Sequence, residues 1–337
     1  MMGLAGFILR RLLFLFPVIL GVTFITFLLS RVFVPDPARA WAGIHASAVA
    51  VASYTARYHL NDPLYVQYFY YMRGLFTGDW GVSATTGRLV INDISFFFPA
   101  SIELALAALV LTIILGIPLG AIAAMYHERK LDHSIRLFYL GGFSSPPFFV
   151  AIVLLLIFGF TFQIFPTRGE LTTTLVPPTR ITGMYIVDSL LTGNWVDFKD
   201  SLMHIILPAA ALALTYFGVV TRVTRASMLE VLQKDFIRAS YAIGLTKRTV
   251  VFRHALRNAL IPTTTVIGLA LGALLGGTIV IETIFEWPGI GYYSTQAILN
   301  YDFPAIMGVT VLFTLSVVIA NLVADVLYAF LDPRIHM

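Results

Sequence analysis

The residues able to do chemistry are few in this chain, and most are isolated. Seven histidines stand at 45, 59, 127, 133, 204, 254 and 336, with no two at metal-ligand spacing on one apolar face. There is no cysteine, which removes disulfides, thiol catalysis and cysteine-based metal sites. No HExxH, no GxSxG and no Gly-Lys dipeptide occurs, so neither a zincin helix, a nucleophile elbow nor a phosphate-cradling P-loop can form. Of the carboxylates within or next to apolar runs, Glu103 and Glu282 fall near the ends of two runs and Asp325 near the end of a third. Ion-coupled carriers bind their driving ion near the bilayer midplane, and no ionisable group is placed centrally here. His204, close to a boundary, reads as a polar interface residue. A transport role would therefore draw its energy from elsewhere.

One cluster is different. The segment "RASYAIGLTKRTVVFRHALRNALIP", residues 238–262, carries five Lys or Arg and no Asp or Glu. Before it, Glu230, Lys234 and Arg238 are spaced by four, and Leu229, Leu232 and Phe236 fall on another face. Glu ahead of Lys at that spacing supports a helix. Gly244 is a helix terminator, Thr246 an N-cap, and Pro262 a stop or kink. In the second helix Phe252, Leu256 and Leu260 make an apolar stripe beside polar Thr249, Arg253 and Arg257. The expected shape is helix, glycine corner, helix. Adsorption to anionic lipid would account for the charge. A docking element seated in a partner's groove would account for the corner as well.

The elements that position this cluster are apolar. Of 337 residues, 58% are hydrophobic and only 12% charged, about half the charged share of a soluble domain. A crossing helix needs about 20 apolar residues. Six stretches qualify, near 9–31, 100–125, 137–162, 204–225, 263–284 and 305–329. The uncharged run Leu12–Ser30 behind Arg10 and Arg11 is too long for a signal-peptide core and reads as a retained span. With the N-terminus inside, 14 of the 22 Lys and Arg lie on the inner side, which places both termini in the cytoplasm. Net charge +4 thus reflects orientation rather than nucleic-acid binding. Pro17, Gly21, Gly116, Pro118, Gly120, Pro146, Pro147 and Pro208 predict bent spans. Gly268, Gly272, Gly276 and Gly277 form small-xxx-small patterns suited to close helix packing. Residues 1–99 form a first span plus a long outer loop, in which 64–76 reads as an amphipathic helix, and 100–337 form a five-span core with the inner loop 226–262.

Many stretches are similar, in order, to permeases of binding-protein-dependent ABC importers of the dipeptide/oligopeptide branch. They include "RRLLFLFPVILGVTFITFLLSRVFVPDPA" (10–38), "NDPLYVQYFYYMRGLFTGDWGVS" (61–83), "ELALAALVLTIILGIPLGAIAA" (103–124) and "PPFFVAIVLLLIFGFTFQIFPTRG" (146–169). "HALRNALIP" (254–262), "GGTIVIETIFEWPGIG" (276–291) and "LVADVLYAFLDPRI" (322–335) complete the set. The early Arg-Arg pair and the long first outer loop resemble the B-type subunit. Three features depart from the family pattern: the EAA triplet reads Arg238-Ala239-Ser240, the stretch from Gly244 to Pro262 is longer than in sugar-importer permeases, which suits the peptide branch, and the usual Pro-Gly-Asp-Pro reads Val34-Pro35-Asp36-Pro37.

The resemblance implies an all-α, six-span type I ABC importer permease in a prokaryotic plasma membrane, and not an enzyme. It implies a second, homologous permease, two cytoplasmic ATPases that hold the ATP and magnesium, and an extracytoplasmic binding protein that delivers peptide. This chain itself would bind no cofactor. Arg238, Ala239, Ser240, Gly244, Leu245, Lys247, Arg248, Arg253 and His254 would form the loop coupled to an ATPase, and Gly272, Gly276, Gly277 and Glu282 would line the path. Oligosaccharide or nickel cargo on the same machinery, and an ion-coupled carrier without ATPase, are the competing expectations.

Overall fold

The computed structural model describes the backbone of residues 4–32, 34, 36–42 and 46–331, and side chains within 17–32, 34, 36–42, 46–274, 276, 278–320 and 322. Helix α1 is Leu4–Val32. Three short helices follow, α2 Pro37–Ala42, α3 Ala48–Arg57 and α4 Leu64–Thr77. The sequence expectation of a helix at 64–76 is met by α4, which ends on Gly78 in the left-handed conformation. The core begins with α5 Val90–Met125, then α6 Lys130–Ser144 and α7 Pro147–Leu154, which runs into a π-helical turn, Leu155–Thr161. Next come α8 Tyr185–Thr192, α9 Trp195–Leu232 and α10 Asp235–Ala242. Then α11 Lys247–Thr249 passes through a second π turn, Val250–Ala255, into α12 Leu256–Gly277. The chain closes with α13 Ile279–Ile284, α14 Ile290–Leu299 and α15 Phe303–Leu331. Among the described residues the only β pairing is the single Val82–Leu89 bridge.

Helices α5, α9 and Phe303–Ala320 of α15 are long and apolar enough to cross a membrane, and α6 with α7 adds a fourth if that pair counts as one span. The bend expected at Pro146 and Pro147 within 137–162 is a full break, with the two halves bent by 109°. Ser145 and Pro146 are both extended at the break, with ψ of 135° and 139°. Each precedes a proline, whose ring excludes the α region for the residue before it. The span expected at 263–284 is also divided, at Thr278 between α12 and α13.

Three apolar clusters are strung along α5. One packs Val90 and Ile94 against Ile290, Tyr293 and Val309. The middle one gathers Leu104 and Ala108 with Ile205, Leu212, Leu274 and Trp287. The last joins Ala121 and Ala124 to Met228, Val251, Ala255 and Ala259. Helices α5 and α9 lie close because glycines face them. A Cβ on Gly116 would meet Val220 at 2.8 Å, and one on Gly120 would meet the Thr221 carbonyl at 2.7 Å. Both glycines read as kink residues in the sequence, yet their role here is contact. By contrast a Cβ on Gly276 would reach only Val317, at 3.8 Å. On the outside, Val110, Ile114, Leu137, Phe138, Phe149 and Phe160 are exposed. So broad an apolar surface suits lipid or a partner helix, not water.

Candidate functional site

The basic segment folds as a corner. Helix α9 ends at Leu232, and Lys234 is extended, with ψ 150°, before α10 begins. The C-terminus of α10 is closed by Leu245 N–H donating to Ser240 O (3.2 Å) and Gly244 N–H to Tyr241 O (3.0 Å). That is the Schellman pairing, and it needs a left-handed residue at Gly244, whose φ is +84°. Thr246 then caps the next helix, its hydroxyl accepting from Thr249 N–H at 3.4 Å. The corner is anchored by two apolar side chains, Ile237 and Leu245, set into the cluster of Met228, Val250 and Val251.

What remains faces outward. Arg238, Ala239, Gly244, Lys247, Arg248 and Arg253 are exposed, while His254 and Leu245 are half-buried. Ser240 is buried, its hydroxyl donating to Phe236 O at 2.7 Å. Phe236 and Tyr241 are 43% and 44% exposed and Ile243 76%, a degree that singles out Ile243 as the tip of the corner. The sequence reading did not include Ile243. Its signal was an apolar residue placed directly before a helix-ending glycine, where the core cannot reach it. Phe236 was expected beside Leu229 and Leu232 on one face. The break at 233–234 turns it out and puts Ile237 inward instead. For the same reason the ladder from Glu230 to Arg238 divides: Lys234 pairs with Glu230 at 2.8 Å, and Arg238 with Asp235 at 3.5 Å. The stripe Phe252, Leu256, Leu260 is likewise displaced by one residue. Val251, Ala255 and Ala259 are the buried set, and Phe252 is half exposed. They pack in one cluster with Ala121 and Ala124 of α5. The face therefore combines Phe236, Tyr241 and Ile243 with the cations of Arg238, Lys247, Arg248 and Arg253.

The expected path residues do not form one surface. Gly272 is buried and Gly276 exposed, and the surroundings of Gly277 lie outside the described residues. Glu282 is fully buried. Its carboxylate accepts from Ser101 Oγ (2.7 Å), Gly291 N–H (2.7 Å) and Tyr292 N–H (3.1 Å). Ser101 Oγ accepts in turn from Ile290 N–H at 2.7 Å, and Trp287 Nε1 donates to Ala100 O at 3.0 Å. Gly289 and Gly291 leave no room for a side chain beside the carboxylate. Within this chain Glu282 ties α5, α13 and α14 together through these bonds.

Two other carboxylates share this end of the bundle. Glu103 accepts from Tyr185 N–H (3.0 Å) and Ile186 N–H (2.8 Å), fastening the first turn of α8. Glu170, in the segment between the first π turn and α8, is buried with Oε1 unpaired. Burial, then the charges of Glu103 and Glu282, push its carboxyl well above the usual range, so it is held as the acid. At the opposite end Arg225 grips buried Asp132 with two bonds, 2.8 and 2.7 Å, tying α6 to α9. His204 is buried against Asp200, its Nδ1 2.9 Å from the Asp200 carbonyl. Among the described residues no group of three His, Asp or Glu could hold a metal ion.

A helical membrane chain that leaves a cationic, apolar corner uncovered has the form of one subunit of a larger assembly. The comparisons say which. Residues 116–337 match the family described as the binding-protein-dependent transport system inner membrane component, and residues 4–105 match its N-terminal companion. The chain belongs to that family and is a multi-pass inner-membrane protein. It is 45% identical over 318 residues to the probable D,D-dipeptide transport system permease DdpB of Escherichia coli K12, covering 94% of each chain. It is 40% identical to the dipeptide transport system permease DppB of Alkalihalophilus pseudofirmus, covering 98% of this chain and 99% of the other. Among solved structures, the MetNI methionine ABC transporter in inward-facing form aligns with TM-score 0.52 and 14% identity, over 69% of this chain and 93% of that one. That likeness is one of fold.

Proposed function

We propose that this chain is a permease subunit of an ATP-driven importer that takes up dipeptides or other short peptides from a binding protein. The near-full-length identity to dipeptide permeases supports the cargo class. The observation that carries the mechanism is the uncovered corner from Phe236 to Arg248. Six spans with both termini in the cytoplasm put that corner on the cytoplasmic side and α2–α4 outside, as the distribution of Lys and Arg supports. There the corner seats in a groove of an ATPase subunit, its aromatic and aliphatic side chains in the groove and its cations on the rim. A second permease completes the path, and two ATPases hold the nucleotide and magnesium. When the ATPases close on ATP, α10 is carried with them. Ile237 and Leu245 pass the displacement to the cluster on α5, α9 and α12, and the bundle changes the side to which it opens.

Ile243→Glu tests this. The side chain supports no core, so the folded state should unfold at the unchanged temperature. A charge driven into an apolar groove should lower ATPase co-purification and dipeptide uptake in membrane vesicles at least tenfold, the ratio for about 1.4 kcal/mol. Full uptake and full co-purification with Ile243→Glu would mean that the corner is not the docking element.

A further inference from the structure

A second place in the molecule is built for a ligand, at the end opposite the corner. Helices α1 to α4 and the start of α15 enclose a cavity of about 230 Å³. Arg31, in the last turn of α1, reaches into it with its guanidinium 3.7 Å above the Trp41 ring. Cation–π contact with the ring face leaves the edge of the guanidinium free to donate. Its Nε and Nη1 are buried and have no hydrogen-bond partner. Three more buried polar atoms in the same wall are also unpaired: Trp41 Nε1, Tyr71 OH and Gln67 Oε1. Trp41 is 1% exposed and Gln67 5%, so bulk water does not satisfy these groups. Gln67 is held in place by its own Nε2, which donates to Asp62 O (2.8 Å) and Leu60 O (3.2 Å).

The inventory of unpaired atoms is lopsided. Arg31 and Trp41 can only donate, and Tyr71 can donate; one acceptor, Gln67 Oε1, stands among them. The charge is lopsided too. Arg31, Arg57 and Arg73 line the cavity against one carboxylate, Asp79, and that carboxylate already pairs with Arg57 at 3.4 Å. A buried guanidinium without a counter-charge is costly unless an anion completes it. The Nε and Nη1 edge is the geometry that takes two oxygens of one planar or tetrahedral oxyanion. Tyr58, Tyr70, Tyr71 and Trp80 supply flat apolar walls beside it.

We propose that this cavity is an oxyanion-binding site, in which Arg31, helped by Trp41 Nε1 and Tyr71 OH, holds a carboxylate or phosphate whose apolar remainder lies against the aromatic walls. The oxyanion belongs either to a free carboxylate ligand or to the headgroup of an acidic lipid, since the site opens where α1 meets the outer segment. The inference does not depend on peptide import, and its failure would leave the docking corner untouched.

The test uses the full chain, with the subunits that co-purify, in phosphatidylcholine nanodiscs. Trp41 and Trp80 line the cavity and report by fluorescence. Phenylacetate is titrated against phenylacetamide, its uncharged isostere. Saturable quenching by phenylacetate, at least tenfold tighter than by the amide and absent in Arg31→Gln, supports a free carboxylate ligand. Discs containing phosphatidylglycerol form the second arm. An emission shift caused by that lipid and absent in Arg31→Gln supports the headgroup as the source. If phenylacetate and the amide act alike and phosphatidylglycerol causes no emission shift, the proposal is overturned. The wild-type comparisons, acid with amide and phosphatidylglycerol discs with phosphatidylcholine discs, decide even where Arg31→Gln does not fold.

Discussion

The two ends of this bundle handle polar groups in opposite ways. Around Glu282, three donors converge on the carboxylate: Ser101, Gly291 and Tyr292 all bond to it, and Trp287 is pinned to α5. Around Gly244, the helix ends are capped, but the side chains of Ile243, Lys247 and Arg248 are exposed, and exposed Arg238 pairs only with Asp235 one turn away. The locked end derives its shape from buried hydrogen bonds that cannot be exchanged for water. The open end derives its shape from one glycine turn and two anchored side chains, and leaves its aromatic and cationic side chains uncovered. The lever proposed above needs that division, because a fixed end gives displacement at the free end something to work against.

Glu282→Ala should produce the largest effect that separates the ends. It orphans three donors in a water-free site, each worth about 1–3 kcal/mol, for a total loss of about 4 kcal/mol. Denaturant unfolding of the purified protein measures it, and a loss below about 1 kcal/mol would dissolve the distinction. Gly244→Ala should cost less. No atom lies within 4 Å of the added Cβ, so only the left-handed backbone is penalised, by about 1–2 kcal/mol. The loss should be local. Trypsin should cut faster at Arg238, Lys247 and Arg248 while global unfolding shifts little, and unchanged cleavage would show that the corner does not rest on Gly244.

The smallest effect belongs to Glu170→Gln. Glu170 holds its proton in the fold and loses it in the unfolded chain above the ordinary carboxylate value, because burial and the Glu103 and Glu282 charges raise it. Its contribution is thus complete at pH 4 and declines as pH climbs toward the raised value. Glutamine keeps the neutral shape without the proton equilibrium. Thermal midpoints should match wild type at pH 4 and exceed it at pH 8. Equal midpoints at both pH values would place Glu170 in contact with water or a cation.

Much of the helix, corner, helix arrangement was legible because Gly244 and Thr246 act locally: a left-handed residue and a cap announce themselves in the sequence. The direction of each face was not. Phe236 and Phe252 look like core residues by size, but Ile237 and Val251 next to them take the buried positions, with Ala255 and Ala259. The 109° bend needed two successive prolines to be read as one break instead of two kinks. Glu282 was visible as an acid near the end of an apolar run, and its role was not, since Ser101 and Gly291 reach it from 181 and 9 residues away. Arg31 is one more basic residue in the sequence, and nothing there says that Trp41 folds back over it.

The π turn at Val250–Ala255 has a consequence for phase. Val251, Ala255, Ala259 and Thr263 repeat every four residues and are all buried. On a regular α-helix each such step overshoots by about 40°, so three steps would swing the last residue about 120° away from the first. A turn closed from i to i+5 is wider and takes up part of that excess. The helix leaving the corner is therefore retimed, like a gear cut with one extra tooth, so that a strict four-residue rhythm keeps Val251, Ala255 and Ala259 in the cluster with α5 and sets Thr263 against Thr224 of α9.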